Sequence, residues 1–195
     1  AARKAQVVAY VPQSEEVDWQ FPITVREVVM TGRYGHMRLT RRPRRRDEAA
    51  VDEALERTHL TRFADRQIGQ LSGGQKKRAF VARGIAQGAS IMLLDEPFAG
   101  VDAATERAVI QVMRDLDAAG RTVICVHHDL QTVADYFDHV LLMNTRVIGA
   151  GPVATTLTAE MLRQTYGGRL GPGDIPGTGP GIGAGAALPV RTGAA

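Results

Sequence analysis

The sequence predicts an α/β fold, a parallel sheet flanked by helices, on three observations. Ile91-Met92-Leu93-Leu94 is a short apolar run ended by Asp95-Glu96-Pro97, the pattern of a buried parallel strand with two carboxylates at its C-terminal end. Helical and strand patterns alternate around it: a helix over 75–87 before it, a second over 102–119 after it, then the strand Thr122–Val126. The 195 residues, 44% of them hydrophobic, are one domain's worth of sequence with enough apolar surface for a real core. No apolar run approaches membrane-spanning length, and no signal peptide is visible. The sole cysteine, Cys125, lies inside an apolar strand, which excludes a disulfide within the chain and points to a reducing compartment and a core role. A net charge of +3 is too small to argue for a nucleic-acid partner.

In chain order, Gln6–Val11 reads as a strand leading into Pro12-Gln13, so that Gln13 stands at a strand end. Glu15, Glu16 and Asp18 beside Trp19 are solvated charge, since no His or Cys joins them in a metal-ligating pattern. A helix starts at Thr24, where Thr24 and Glu27 form a capping box and Ile23 and Val28 hold staple positions; Val25, Val28 and Val29 make its apolar face and Gly32 ends it. Six arginines follow in the run Arg38–Arg46. Without interleaved aromatics, and broken by Pro43, the run suits a solvated loop near anionic headgroups better than base recognition. A helix over Asp47–Leu60 turns Val51, Ala54, Leu55 and Thr58 inward and pairs Glu53 with Arg57.

Leu71-Ser72-Gly73-Gly74-Gln75 is the most informative stretch. A Gly-Gly pair opening an apolar helix implies a close approach to its backbone, and Ser72 at the N-cap leaves N–H groups and the positive dipole end facing an anion. Lys76, Lys77 and Arg78 add positive charge to the first turn. Further on, Asp102 caps a helix that buries Val109, Val112, Met113 and Leu116 and stops at Gly120. Strand Thr122–Val126 delivers His127 and His128 to the sheet edge that holds Asp95 and Glu96, and Asp129 caps the next short helix. Asp138–Met143 and Arg146–Ala150 form a hairpin around Asn144-Thr145. From Gly168 the composition collapses to Gly, Pro and Ala, which predicts a disordered tail; a formal dinucleotide fingerprint at Gly181, Gly183 and Ala186 lacks the strand it would need.

Five of these pieces, in this order, resemble the motifs of ATP-binding cassette (ABC) ATPases. Leu71–Gln75 resembles the signature motif, Ile91–Glu96 the Walker B strand with its adjacent glutamate, and Phe98-Ala99-Gly100-Val101-Asp102 the D-loop. Tyr10-Val11-Pro12-Gln13 resembles the Q-loop, and Val126-His127-His128-Asp129 the switch-histidine segment, with His128 at the histidine position. The resemblance implies a P-loop NTPase-like (RecA-like) sheet with an inserted helical signature subdomain at about 22–88, a partial ATPase domain over 1–166 and a tail over 167–195. Its cofactors would be ATP and Mg²⁺. Asp95 and Gln13 would hold Mg²⁺, Glu96 would act as general base or orient the water, and His128 and Gln13 would complete the γ-phosphate shell. Ser72, Gly73, Gly74 and Gln75 would bind, in trans, the nucleotide of a second cassette, most simply a homodimer, with Asp102 at the dimer contact.

The resemblance further implies a peripheral protein on the cytoplasmic face of the membrane, driving a transmembrane permease served by an extracellular metal-binding protein, with no nucleic acid involved. Trp19, Phe21 and Tyr34 are candidates for the permease-docking surface, or for subdomain core. Val17–Pro22, Gly32–Gly35, Gln75–Arg78 and 98–102 are similar to the manganese, zinc and iron uptake branch, with manganese favoured. No G-x-x-x-x-G-K-[ST] loop is present, so the expectation is that the first strand and phosphate loop lie upstream of Ala1 and that the chain alone neither binds ATP tightly nor hydrolyses it. Two other readings stand beside this one: a non-hydrolytic remnant acting as a binding module, and a soluble cassette ATPase outside transport.

Overall fold

The computed structural model describes residues 7–13, 21–37 and 42–167. The chain divides into two compact units, residues 1–128 and 129–195. Trp19, Arg38, Arg41, the acids at 15, 16 and 18 and the tail from Gly168 lie outside the described residues.

The first unit is built on a parallel sheet in the order β1 (Val8–Val11), β2 (Ile91–Asp95), β3 (Thr122–Val126). Its register pairs Val8 with Ile91 and Ile91 with Thr122, and Val11 with Leu94 and Leu94 with Cys125, so all three C-terminal ends lie along one edge. One face is core: Ala9, Val11, Met92 and Leu94 are buried. Helix α3 (Gly73–Gln87) lies on it, and the closeness of that approach explains Gly84, where a Cβ would stand 3.1 Å from Met92 Cε. On the other face Tyr10, Ile124 and Val126 keep 47–50% of their surface exposed. The fully buried strand expected at 91–94 is therefore half-buried, alternating like a sheet with one covered face.

Helices α1 (Val25–Thr31) and α2 (Arg45–Arg57) pack on α3. The Thr24–Glu27 capping box is present, and Val25, Val28 and Val29 are buried as their spacing predicts. Gly32 ends α1 in a right-handed conformation; a side chain there would collide with the carbonyl oxygen of Arg83 on α3. Helix α2 starts at Arg45, two residues before the expected start, because Asp47 is its third residue and reaches back to the Arg44 N–H at 3.1 Å. It ends at Arg57, with Val51, Ala54, Leu55 and Thr58 fully buried and Glu53 paired to Arg57 at 2.9 Å.

A buried polar knot joins these helices. Arg33 donates through Nε to Asp47 Oδ1 at 3.1 Å and through Nη1 to the Ala86 carbonyl at 2.9 Å, with Asp47 only 1% exposed. Burial pushes the Asp47 carboxyl up, but the Arg44 amide and the Arg33 and Arg46 guanidinium groups outweigh it and hold the carboxyl below its ordinary range.

Helix α4 (Ala103–Ala118) buries Val109, Val112, Met113 and Leu116 as predicted and is capped by Asp102, whose Oδ1 accepts the Ala104 and Thr105 N–H groups.

In the second unit, α5 (Val133–Tyr136) precedes an antiparallel hairpin of β4 (His139–Asn144) and β5 (Arg146–Pro152), followed by α6 (Val153–Thr156) and α7 (Ala159–Tyr166). Leu142 and Leu162 centre its core. The hairpin turns at Thr145, in the left-handed region with φ 55°. Asp129 does not cap α5; that position is Thr132, while Asp129 closes a turn by accepting the Gln131 N–H at 3.0 Å. No helix among the described residues is long and apolar enough to cross a membrane.

Candidate functional site

Parallel pairing places the residues that follow each strand side by side. Gln13 comes after β1, Glu96 directly after β2, and His127 and His128 directly after β3. The Glu96 carboxylate sits between the outer two: His128 Nε2 lies 2.7 Å from Oε1, and Gln13 Nε2 donates to Oε2 at 3.1 Å. One group on each oxygen fixes the plane of the carboxylate. His127 turns away and meets Phe98 edge to face, with centroids 5.4 Å apart.

Glu96 itself is a non-glycine residue at φ 44°, a left-handed conformation that costs energy unless the surroundings hold it. The turn it opens is closed by the Ala99 N–H donating to Glu96 O at 3.2 Å. Lys77, from the first turns of α3, places its ammonium on the carbonyl oxygens of Glu96, at 3.2 Å, and of Ala99. Burial pulls the Lys77 amine below its ordinary value, opposed by the Glu96 charge.

Asp95, the last residue of β2, accepts a hydrogen bond from the Tyr10 hydroxyl at 3.0 Å through Oδ2. A carboxylate oxygen and the amide oxygen of Gln13, whose nitrogen is already committed to Glu96, are the hard donors that suit Mg²⁺. Among the described residues no group of three or more His, Cys, Asp or Glu side chains gathers as a metal cage, so these two oxygens are donors of the right kind rather than a complete site. Burial, and secondarily the Asp95 charge, push the Cys125 thiol up to about 12, so Cys125 is no nucleophile.

At the start of α3, Ser72 is the N-cap. Its hydroxyl accepts the Gln75 N–H at 3.3 Å and Gln75 Oε1 accepts the Ser72 N–H at 3.0 Å, a full capping box. With the third-position amide consumed, the Gly73 and Gly74 N–H groups remain for a ligand. The two glycines differ. Nothing lies within 4 Å of a Cβ built on Gly73, whereas one on Gly74 would stand 2.5 Å from Thr105 Oγ1. The close approach expected at the pair is thus made at Gly74 by the chain's own Thr105, and only Gly73 faces open space. Of the three basic residues, Lys77 and Arg78 turn to carbonyls of their own chain, Arg78 Nη1 reaching Thr58 O at 3.3 Å.

Of the residues the sequence singles out, the structure brings Gln13, Glu96 and His128 into contact and Ser72 onto Gln75, with Asp102 capping α4, while the contacts of Tyr10, Lys77 and Thr105 were not anticipated. Tyr10 was accessible in principle, since period-two alternation puts it on the sheet face of Asp95 once the register is known. Lys77 had no signal beyond its charge.

The sequence model of the ABC transporter family matches residues 2–99. The zinc transport system ATP-binding protein TroB of Treponema pallidum is 49% identical over 169 residues, which cover 87% of this chain and 64% of that protein. The manganese transport system ATP-binding protein MntB of Bacillus subtilis is 50% identical over 163 residues, covering 84% of this chain and 65% of that protein. Among solved structures, a transporter described as of metal-chelate type, in an inward-facing conformation, superposes with a TM-score of 0.75 at 28% identity, covering 83% of this chain and 64% of that one. The chain spans a little under two thirds of the length of these relatives. A family model that takes in the strand ends bearing Gln13 and Glu96, together with two close relatives alike over more than four fifths of the chain, identifies it as a member of the ABC transporter family.

Proposed function

We propose that this chain carries the signature and catalytic parts of the ATP-hydrolysing subunit of an importer for a divalent transition metal, manganese first, with zinc or chelated iron next. The observation that carries the reading is the Glu96 carboxylate fixed between His128 and Gln13 at the ends of three parallel strands. That is the arrangement needed to orient a water and take its proton during attack on a γ-phosphate. Relatives named for manganese and for zinc match almost equally well, which supports the metal class.

In this reading Glu96 accepts the proton of the attacking water, or holds that water in line. His128 and Gln13 exchange their bonds to Glu96 for bonds to the γ-phosphate as substrate enters. Asp95 and Gln13 would hold Mg²⁺, which supplies neutralisation of phosphate charge when bound. The Ser72 hydroxyl and the Gly73 and Gly74 amides receive the γ-phosphate of ATP held by a second cassette, so catalysis belongs to a head-to-tail pair, most simply of identical subunits, with Asp102 at the contact. The ATPase domain extends over 1–166 and its helical subdomain is formed by α1, α2 and α3, at about 22–88. Phe21, 60% exposed, and Tyr34, 43% exposed, support a permease-docking surface over a core role. The protein then sits peripherally on the cytoplasmic face of the membrane, beside a permease and, indirectly, an extracellular binding protein.

The sequence holds no Gly-rich phosphate loop, so the chain by itself is inactive on this account. The test is ATP hydrolysis and metal uptake by the complete transport system with native subunits. Uptake of manganese, zinc or chelated iron coupled to hydrolysis supports the proposal, and hydrolysis with no permease attached and no metal moved contradicts it.

A further inference from the structure

The first two turns of α3 make two contacts, one with the start of α4 and one with the carboxylate-bearing turn after β2. Gly74 abuts Thr105, whose hydroxyl donates to Asp102 Oδ2 at 3.0 Å, so the first turn of α3 rests on the first turn of α4. One turn further along α3, the Lys77 ammonium caps the Glu96–Ala99 turn from outside, taking the carbonyl oxygens at both of its ends. Glu96 O thereby accepts two hydrogen bonds, from Ala99 N and from Lys77 Nζ.

Such a grip has a mechanical meaning. With φ 44° a non-glycine residue relaxes to negative φ unless its surroundings hold it. Relaxation would rotate the Glu96 side chain away from His128 and Gln13. The Ala99 N–H alone supplies a single neutral hydrogen bond, comparable in strength to the strain. The Lys77 contacts are charge-assisted and shift that balance. A lysine at this site, half-buried rather than extended into water, gives up solvation to make them.

We propose that Lys77 is a positioning residue for Glu96: by holding the Glu96 and Ala99 carbonyls it fixes the left-handed backbone of the carboxylate and ties it to the Ser72–Gly74 end of α3. Movement of that helix end when an anion binds is then passed to Glu96 through one side chain. The inference rests on the ATPase reading for its consequence in catalysis, but the grip itself does not.

Two readouts separate the two. In this chain, hydrogen exchange at the amides of Ala99, which donates to Glu96 O, and of Val101, which donates to Phe98 O in the same segment, is compared among the wild type, Lys77→Met and Lys77→Arg. Exchange at those amides is expected to quicken about tenfold in Lys77→Met while the amides of 81–85 in α3 stay unchanged, and Lys77→Arg, which can still donate to two carbonyls, restores most of the protection. In the complete transporter, Lys77→Met is expected to lower kcat about tenfold with KM for ATP within about twofold, since the loss concerns orientation rather than binding. Unchanged protection at Ala99, or a loss spread evenly through α3 and β2 with kcat unaltered, overturns the proposal. If the wild-type transporter hydrolyses no ATP, the functional reading falls while the exchange result still decides the grip.

Discussion

Gly73 and Gly74 are chemically identical and sequential, yet the structure gives them different work. Gly74→Ala forces its methyl group onto Thr105 and should cost about 1–3 kcal/mol in urea unfolding. Gly73→Ala has open space around it and should stay within about 0.5 kcal/mol of wild type. On the proposed function its effect belongs instead to phosphate approach in the assembled transporter. Sequence alone showed that a glycine pair opens a helix but could not show which member the chain's own side chains use. The same limit applies to Tyr10 and Lys77, whose partners are set by strand register and helix packing. The nearness of His128 to Glu96 was legible because each comes within two residues of the end of a short apolar strand, and parallel pairing then leaves little freedom in where they end.

Cys125 gives a second test at this scale. Its thiol is pushed up to about 12, so at pH 8 iodoacetamide should alkylate the folded chain on the order of a thousandfold more slowly than the unfolded chain, whose thiol has its ordinary value. Equal rates would show that β3 does not shield it.

Among the elements, helix starts separate what local chemistry reveals from what it hides. Thr24 and Asp102 are good capping residues and were placed correctly. Helix α2 was misplaced because arginine is a poor cap, and an Asp at the third helical position looks from sequence like the cap itself. Asp47 is more than a helix-start acid, since it also neutralises the buried Arg33. Asp47→Ala takes the carboxylate from that guanidinium, leaving it the Ala86 carbonyl, and should cost about 3 kcal/mol. The pH dependence has a definite sign. The Asp47 carboxyl is held below its ordinary range, so its contribution is complete above the unfolded value of about 4 and is lost as pH falls through the lower folded value. Thermal unfolding of the wild type should therefore lose stability below about pH 4, and Asp47→Ala should lose less over the same interval. On α3, Ser72→Ala removes one hydrogen bond of the capping box and should cost about 1 kcal/mol by the same method.

For the whole molecule, the three parallel strand ends assemble the candidate site on which the proposed function rests. They bring Gln13, Glu96 and His128, far apart in sequence, into contact beside Asp95, and Lys77 ties α3 to the same turn. Nothing in composition or net charge carried this information; order and spacing of the motifs did. Division of the chain after His128 was not legible, because the segment following β3 has the same mixed polarity as other loops.

The most direct measurement is steady-state ATP hydrolysis by the complete transporter with the native subunit and with Glu96→Gln, which keeps the shape of the side chain but removes the charge and one acceptor oxygen. The account predicts that turnover falls at least about a hundredfold while ATP binding is retained. Turnover within about twofold of wild type would contradict it, because Glu96 would then be neither the base nor the group that orients the water.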